Sequence, residues 1–152
     1  MKIAGYSIRP PKFLFAQEPK DFMGIQKHYG FVDAPASGSR TLLMLSVISL
    51  VSPIGDVTDQ KLLALCRGNL FGMNRPNNLD KFESSEPEKR VINDVTFACC
   101  KWSGVMKANP HEEEYGFIFV TVLSGKEVAL TGISPSRAKL SIVEASSMSF
   151  HR

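Results

Sequence analysis

The sequence predicts one α+β domain in which helices flank an antiparallel β-sheet. Apolar stretches with a period of two, or apolar on both faces, are typical of strands, and short loops rich in turn residues separate most of them. Two amphipathic stretches, at about 58–73 and 135–149, have the period of helices. Strand runs joined by hairpins favour an antiparallel sheet over a doubly wound one. The length of 152 residues is typical of one domain, which we expect to span residues 1–152.

The N-terminal region is predicted to contain short strands. Tyr6–Arg9 alternates apolar and polar residues, and Pro10–Pro11 ends this segment because proline cannot continue a hydrogen-bonded ladder. Short extended segments follow at residues 13–15 and 28–32, and residues 33–39 are rich in turn-forming residues. We therefore expect the sheet to begin here.

A central strand and the first helix follow. Residues 41–51 are apolar on both faces, which indicates a strand covered on both sides, and Pro53 and Gly55 end it. Thr58 or Asp56 offers a cap for the helix. One face of this helix carries apolar residues at spacings of four, four and three: Leu62, Cys66, Leu70 and Met73.

Residues 91–103 are predicted to form one long strand with an irregularity. Up to Cys99 the apolar residues share one face, whereas beyond it Cys100 and Trp102 are the apolar pair. A change of parity within a strand indicates a β-bulge. We therefore expect a bulge near Cys99, with the side chains of Cys99 and Trp102 on opposite faces of the sheet.

The C-terminal part is predicted to form a hairpin and a closing helix. Residues 115–123 and 126–133 have strand character, and Ser124–Gly125 fits a two-residue turn in which glycine accepts a positive φ. Ser134 is placed as the cap of the last helix, with Pro135 at its first position.

The chain resembles the PsbP-like fold, which the Mog family of Ran-binding proteins shares. The resemblance lies in the opening stretch Gly5–Pro11, with the sequence GYSIRPP, and in the order of the elements. The likeness in topology spans most of the chain, and the motif covers only the first dozen residues. The resemblance implies a domain that binds a partner or stabilises an assembly without catalysing a reaction, often after export. It carries over no functional residue, since one fold can host unrelated roles.

The charge distribution does not indicate nucleic-acid binding. The formal net charge is +3, from 18 Lys and Arg against 15 Asp and Glu, and the basic residues are scattered, whereas nucleic-acid binders gather them on one face. The longest apolar run, residues 42–51, is too short for the ~20 residues of a membrane helix, so we predict no transmembrane segment. No leader is visible. The chain alone therefore indicates a soluble cytoplasmic protein, or an exported one if a signal peptide is missing from it, and the oligomeric state stays open.

Three cysteines, Cys66, Cys99 and Cys100, are predicted to be free and buried. An odd number cannot pair completely within the chain, and no CxxC spacing or neighbouring histidine completes a metal site. Free cysteines commonly pack as small hydrophobic residues. We therefore predict no cofactor, and we expect either a reducing compartment or no dependence on redox state.

Four residues are candidates for binding: Trp102, His111, Glu112 and Glu114. The stretch His111–Glu114 holds one imidazole and three carboxylates that could bind a divalent cation. Consecutive loop residues rarely converge on one ion, however, and the HExxH spacing is absent, so we predict an exposed loop without a metal. Trp102 could line a pocket or an interface, or it could pack in the core.

No catalytic motif is recognisable in the sequence. There is no GxSxG elbow and no glycine-rich phosphate loop, and His28, His111 and His151 stand in no catalytic pattern. We therefore predict a non-enzymatic binding or assembly-supporting module, whose partner is a protein or an envelope component. The alternative is a small enzyme or divalent-metal-binding protein with dispersed site residues. A pocket with converging polar groups favours that alternative, and an exposed apolar patch without such a pocket favours the binding module.

Overall fold

The fold is α+β, as predicted, and the computed structural model describes residues 1–33, 41–50, 56–72 and 75–152. Within these residues nine strands form one antiparallel sheet, and a small two-stranded hairpin precedes it. The strands are β1 (Lys2–Ile3), β2 (Tyr6–Ser7), β3 (Leu14–Ala16), β4 (Lys20–Phe22), β5 (Gln26–Asp33), β6 (Leu42–Ser49), β7 (Leu79–Ser84), β8 (Glu88–Ile92), β9 (Val95–Met106), β10 (Glu113–Leu123) and β11 (Lys126–Ser134). The helices are α1 (Asp59–Gly72), α2 (Arg75–Asn78) and α3 (Arg137–Ser147).

The sheet has the strand order β3–β5–β6–β11–β10–β9–β7, with β4 beside β5 and β8 beside β9. The predicted central strand, residues 41–51, is β6, and it pairs with β5 and β11. The predicted hairpin is β10–β11, which turns at Ser124 and Gly125 with positive φ at both residues. Of the predicted strand at Tyr6–Arg9 only Tyr6 and Ser7 pair as a strand, in the small hairpin with β1.

Each face of the sheet carries a helix, and we name the faces after α1 and α3. The α3 face holds a core of large apolar side chains from nine strands and α3, including Leu43, Leu45, Phe97, Phe117, Phe119, Leu130 and Val143. The α1 face holds a second core that includes Leu62, Cys66, Leu70, Ala98, Cys100, Trp102, Ile118 and Val120. Strands covered on both sides are apolar at successive positions, which explains the continuous apolar runs of β9 and β10.

The prediction of one strand over residues 91–103 is wrong at its start. Residues 91 and 92 end β8, and Asn93 and Asp94 form a tight turn with φ of 45° and 65° before β9 begins. Asn and Asp tolerate this left-handed region better than other residues with a Cβ. Val91 therefore lies on β8, where it is exposed, and does not share a core face with Phe97.

The predicted bulge near Cys99 is also wrong. Strand β9 pairs with β10 in one continuous register from Ala98 through Val105. Cys99 and Trp102 do lie on opposite faces, because residues three apart in a regular strand always do. The apolar residues of β9 change from one face to the other near Cys99 because this strand is buried on both of its faces. Among the described pairs it is β7 that shifts its register against β9, between Asp80 and Glu83.

The two long helices agree with the predicted ranges, but one cap differs. Thr58 caps α1, since its Oγ1 accepts a hydrogen bond from the backbone N–H of Lys61 at 3.3 Å. At α3 the cap is Ser136, whose side chain accepts from Lys139, and not Ser134. Ser134 still belongs to β11, and its hydroxyl lies 2.8 Å from that of Thr41.

Some positions used in the predictions lie outside the described residues, namely 34–39, Val51, Pro53, Gly55 and Met73.

Candidate ligand-binding groove

Helix α1 covers only part of its face of the sheet. Its buried residues Leu62, Cys66 and Leu70 pack in the α1-face core, and the helix contacts β9 and β10. Beside the helix, over β5, β6 and β11, lies a cavity of about 720 Å³. Sites for small molecules commonly have volumes of about 300–1,000 Å³. We call this cavity the α1 groove.

The floor of the α1 groove consists of alternate residues from three neighbouring strands. Side chains two apart in a strand share a face, and the register places Gln26 beside Ile48, and His28 beside Ser46. Across the next pair of strands Ile48 lies beside Glu127. The floor residues are Gln26 and His28 of β5, Met44, Ser46 and Ile48 of β6, and Glu127, Ala129 and Thr131 of β11.

The wall of the groove is α1, which turns small residues towards it. Ala64, Gly68 and Gly72 recur at every fourth position, together with Lys61, Leu65 and Asn69. A Cβ atom added to Gly68 would meet no neighbour within 4 Å. No packing contact therefore requires glycine there, although glycine within a helix costs roughly 1 kcal/mol relative to alanine. The effect of the small residues is to leave room between the helix and the sheet.

A chain of three polar side chains crosses the groove floor. The Gln26 amide Nε2 lies 2.8 Å from His28 Nε2, and His28 Nδ1 lies 2.7 Å from Ser46 Oγ. An amide nitrogen can only donate, so His28 accepts at Nε2, carries its proton on Nδ1 and donates to Ser46. Burial, and then the positive charge of Lys20, lowers the pKa of His28 below its ordinary value. The imidazole is therefore neutral near pH 7, and the Ser46 hydroxyl keeps its own hydrogen for another acceptor.

Glu127 places a buried carboxylate in the groove. Its side chain is 8% exposed, and its Oε1 accepts a hydrogen bond from Asn69 Nδ2 at 2.5 Å. Asn69 also donates to the carbonyl of Leu65 at 3.0 Å. In the described parts of the chain, no basic side chain forms an ion pair with Glu127; Lys61, which also lines the groove, donates instead to the carbonyl of Asp56. Asn69 is a neutral donor, and a carboxylate can accept further hydrogen bonds beyond this one.

An exposed apolar hairpin tip adjoins the groove. Strands β4 and β5 are joined through Met23 and Gly24, both with positive φ, and Met23 is 94% exposed. Phe22 and Ile25 beside it are each about half exposed. The Phe22 ring packs edge-on against the His28 ring, with 5.4 Å between their centroids. The tip therefore extends the apolar surface of the groove outwards.

None of the four residues singled out from the sequence lines the α1 groove. Trp102 is buried in the α1-face core, and its Nε1 has no hydrogen-bond partner among the described residues. His111 and Glu112 lie in the turn between β9 and β10, as expected. The prediction of an exposed loop over residues 111–114 is wrong in its second half, because Glu113 and Glu114 belong to β10 and Glu114 is buried. In the residues that the structure covers, no three His, Cys, Asp or Glu side chains are grouped to hold a metal ion. Binding by these four residues stays a prediction.

The groove residues were missed because each looks ordinary in its own segment. One signal was available in Ser46, a polar residue in the middle of a strand that the pattern places under cover on both sides. A buried hydroxyl needs a partner, which pointed to another polar residue on the same face. His28 is that partner, but the pairing of β5 with β6 was needed to find it.

No protein-family model matches the chain, and no curated protein matches its sequence. Among solved structures it is similar to the crystal structure of LpqN, described as involved in cell envelope biogenesis of Mycobacterium tuberculosis, with a TM-score of 0.58 and 13% sequence identity. The match covers 95% of this chain and 79% of LpqN. This likeness supports the α+β fold, and the finer resemblance to PsbP-like and Mog domains stays a prediction. Across the described segments, none of the helices has the length and apolar character needed to cross a membrane.

Proposed function

We propose that this chain is a non-enzymatic binding domain that holds an apolar component of the cell envelope in the α1 groove. The observation that carries the proposal is the groove itself, a cavity of about 720 Å³ with Met44, Ile48, Leu65 and Ala129 among its lining residues. Removing apolar ligand surface from water stabilises a complex by roughly 25 cal/mol for each Å². The similarity to LpqN directs the proposal to the envelope.

The polar groups of the groove suit recognition of a ligand. Small-molecule sites are mostly apolar, with a few placed polar groups that fix the ligand's orientation. Here these groups are the Gln26–His28–Ser46 chain on one side and the Asn69–Glu127 pair on the other. The exposed tip at Met23 adds an apolar surface by which the domain could meet a membrane or a protein that delivers the ligand.

A small hydrolase is the second candidate, because the groove is a pocket with converging polar groups. Ser46, His28 and Gln26 have the spacing of a nucleophile, a base and an orienting group. Two features oppose this assignment. His28 carries its proton on the nitrogen that faces Ser46, so it cannot accept the serine proton in this arrangement. Ser46 also lies inside a strand that is paired on both sides, where the ladders engage the backbone N–H groups that would form an oxyanion hole.

The binding proposal is tested by a displacement titration. A fluorophore that brightens in apolar sites is bound to the protein and displaced with lipids extracted from the native host, and the displacing lipid is identified by mass spectrometry. Gly68→Leu places a branched apolar side chain in the groove, with no neighbour within 4 Å of its Cβ, and we expect it to abolish displaceable binding. Gln60→Leu, at an exposed position of the same helix outside the groove, is the matched control and should bind normally.

The two candidates give different results in a second assay. A hydrolase should turn over p-nitrophenyl esters and lose that activity in Ser46→Ala. Saturable lipid binding without turnover supports the binding domain. Binding that Gly68→Leu leaves intact would place the ligand elsewhere and overturn the proposal, and turnover that depends on Ser46 would favour the enzyme.

A further inference from the structure

We propose that Glu127 makes the α1 groove selective for amphiphiles that carry a cationic amine on a single apolar chain. This inference rests on the proposed function, since it names the chemical class of ligand that the same groove holds. It commits to one arrangement, in which the ammonium contacts the carboxylate of Glu127 and the chain lies along the apolar lining.

The carboxylate of Glu127 presents a hydrogen-bond acceptor to a ligand in the α1 groove. Glu127 is 8% exposed and lines the groove, and Asn69 engages only one of its oxygens, Oε1. An ionised carboxylate has two oxygens and accepts several hydrogen bonds. Among the described residues no donor engages the second oxygen, which is therefore available to a donor from the ligand. A protonated amine supplies both hydrogen-bond donors and the opposite charge, and bonds to charged groups are the stronger class.

The other polar groups of the α1 groove do not compete with Glu127 for the headgroup of the ligand. His28 is neutral, because burial and then Lys20 lower its pKa, and its ring nitrogens are engaged by Gln26 and Ser46. The groove residue Lys61 donates to a backbone carbonyl at 3.0 Å and is exposed at the rim. A carboxylate headgroup placed at Glu127 would meet a like charge in a site of low dielectric. The carboxylate of Glu127 thus favours a cationic headgroup over an anionic one at its own position.

The apolar chain of the ligand lies against the apolar lining of the groove. The side chains of Met44, Ile48, Leu65 and Ala129 line the same cavity as Glu127, and Gly68 leaves space above them. Each methylene that enters such a site adds about fourfold to the affinity. An alkylamine therefore combines the two properties that the lining offers, a charge for Glu127 and apolar length for the rest of the groove.

The test compares three probes with the same ten-carbon chain: decylamine and decanoate below their micelle concentrations, and decanol below its solubility limit. Their affinities for the full chain are measured by isothermal titration calorimetry at pH 7. We expect decylamine to bind at least about tenfold more tightly than the other two. Glu127→Gln, which keeps an oxygen for Asn69, should reduce this preference to less than about threefold and leave decanol unchanged. Glu83→Gln, an exposed carboxylate on edge strand β7, is the matched control and should keep the full preference.

A measurement on the unmodified protein covers the case in which Glu127→Gln does not fold. The carbon-13 resonance of the Glu127 carboxylate should shift on addition of decylamine and stay in place with decanol. Equal affinities for the three probes, or an unmoved resonance with bound decylamine, would overturn the amine selectivity and leave the groove as an apolar site. Absence of binding by all three probes, together with no effect of Gly68→Leu on lipid binding, would remove the proposed function as well.

Discussion

The indole ring of Trp102 occupies the space above Gly116, its partner across β9 and β10. A Cβ atom at Gly116 would lie 2.0 Å from Cζ2 of the ring. Phe117 covers Gly132 across β10 and β11 in the same way, with 2.1 Å from such a Cβ to Cε1. Aromatic rings thus lie over cross-strand glycines on both faces of the sheet, and the two glycines are required by close packing.

Gly116→Ala should destabilise the protein by about 1–3 kcal/mol, because the added methyl group forces a buried indole ring to move. Gly68→Ala is the matched substitution on α1. It meets open space and removes a poor helix former, so it should stabilise the protein by up to about 1 kcal/mol. Urea denaturation of both variants measures the two effects. Equal changes in the free energy of unfolding would contradict the difference in packing described for these glycines.

The cap of α3 gives a second prediction. Ser136→Ala removes the side-chain acceptor for the N–H of Lys139 and should cost about 1 kcal/mol. Ser141→Ala, at an exposed position inside the same helix, is the control and should be neutral or slightly stabilising because alanine favours helices. A loss of stability in Ser141→Ala equal to that in Ser136→Ala would refute the assignment of the cap.

Much of the fold followed from local patterns. The hairpin at Ser124–Gly125, the central strand β6 and the two long helices each have a signal within their own segment. The Asn93–Asp94 turn was missed because the pair lacks the glycine that marks such turns most strongly. The parity change near Cys99 was misread, since burial of β9 on both faces is a property of the assembled sheet and its helices.

The α1 groove could not be predicted in the same way. Its polar groups, His28, Ser46, Asn69 and Glu127, come from four elements, and they meet only after β5, β6 and β11 pair and α1 takes its place on the sheet. Strand parity can place three of them on one face once the register is known. The space between α1 and β5 depends on where the helix packs, and a local pattern carries no information about that.

The buried thiols give a third prediction, that none of the three cysteines reacts in the folded protein. The Sγ atoms of Cys66 and Cys100 lie 3.1 Å apart, with Cys66 donating. That hydrogen bond, with burial, raises the pKa of Cys66, and the same bond lowers the pKa of Cys100. Burial raises the pKa of Cys99 to about 12. Thiolates are the reactive form, and Cys100 is itself only 2% exposed.

Titration with Ellman's reagent checks this prediction. Native protein should show no rapid reaction, and all three thiols should react after denaturation in guanidinium chloride. Gln60→Cys places a thiol at an exposed position on α1 and provides the positive control. A fast-reacting thiol in the native protein would indicate that α1 separates readily from the sheet.

The last prediction concerns pH and His28. Its pKa in the folded protein is lowered, first by burial and then by Lys20, whereas in the unfolded chain it should lie near its ordinary value of about 6.5. Below about pH 6.5 the unfolded chain therefore binds a proton at His28 that the folded protein does not. The free energy of unfolding must then fall with falling pH until the pH reaches the folded-state pKa, and above about pH 6.5 this residue contributes no pH dependence.

His28→Asn, whose amide can still donate to Ser46, should show a shallower loss of stability over this range in urea titrations at successive pH values. His111→Asn, in the exposed β9–β10 turn, should retain the full slope. Identical slopes in the unmodified protein and His28→Asn would show that the His28 side chain is hydrated in the folded state, against its placement in the α1 groove.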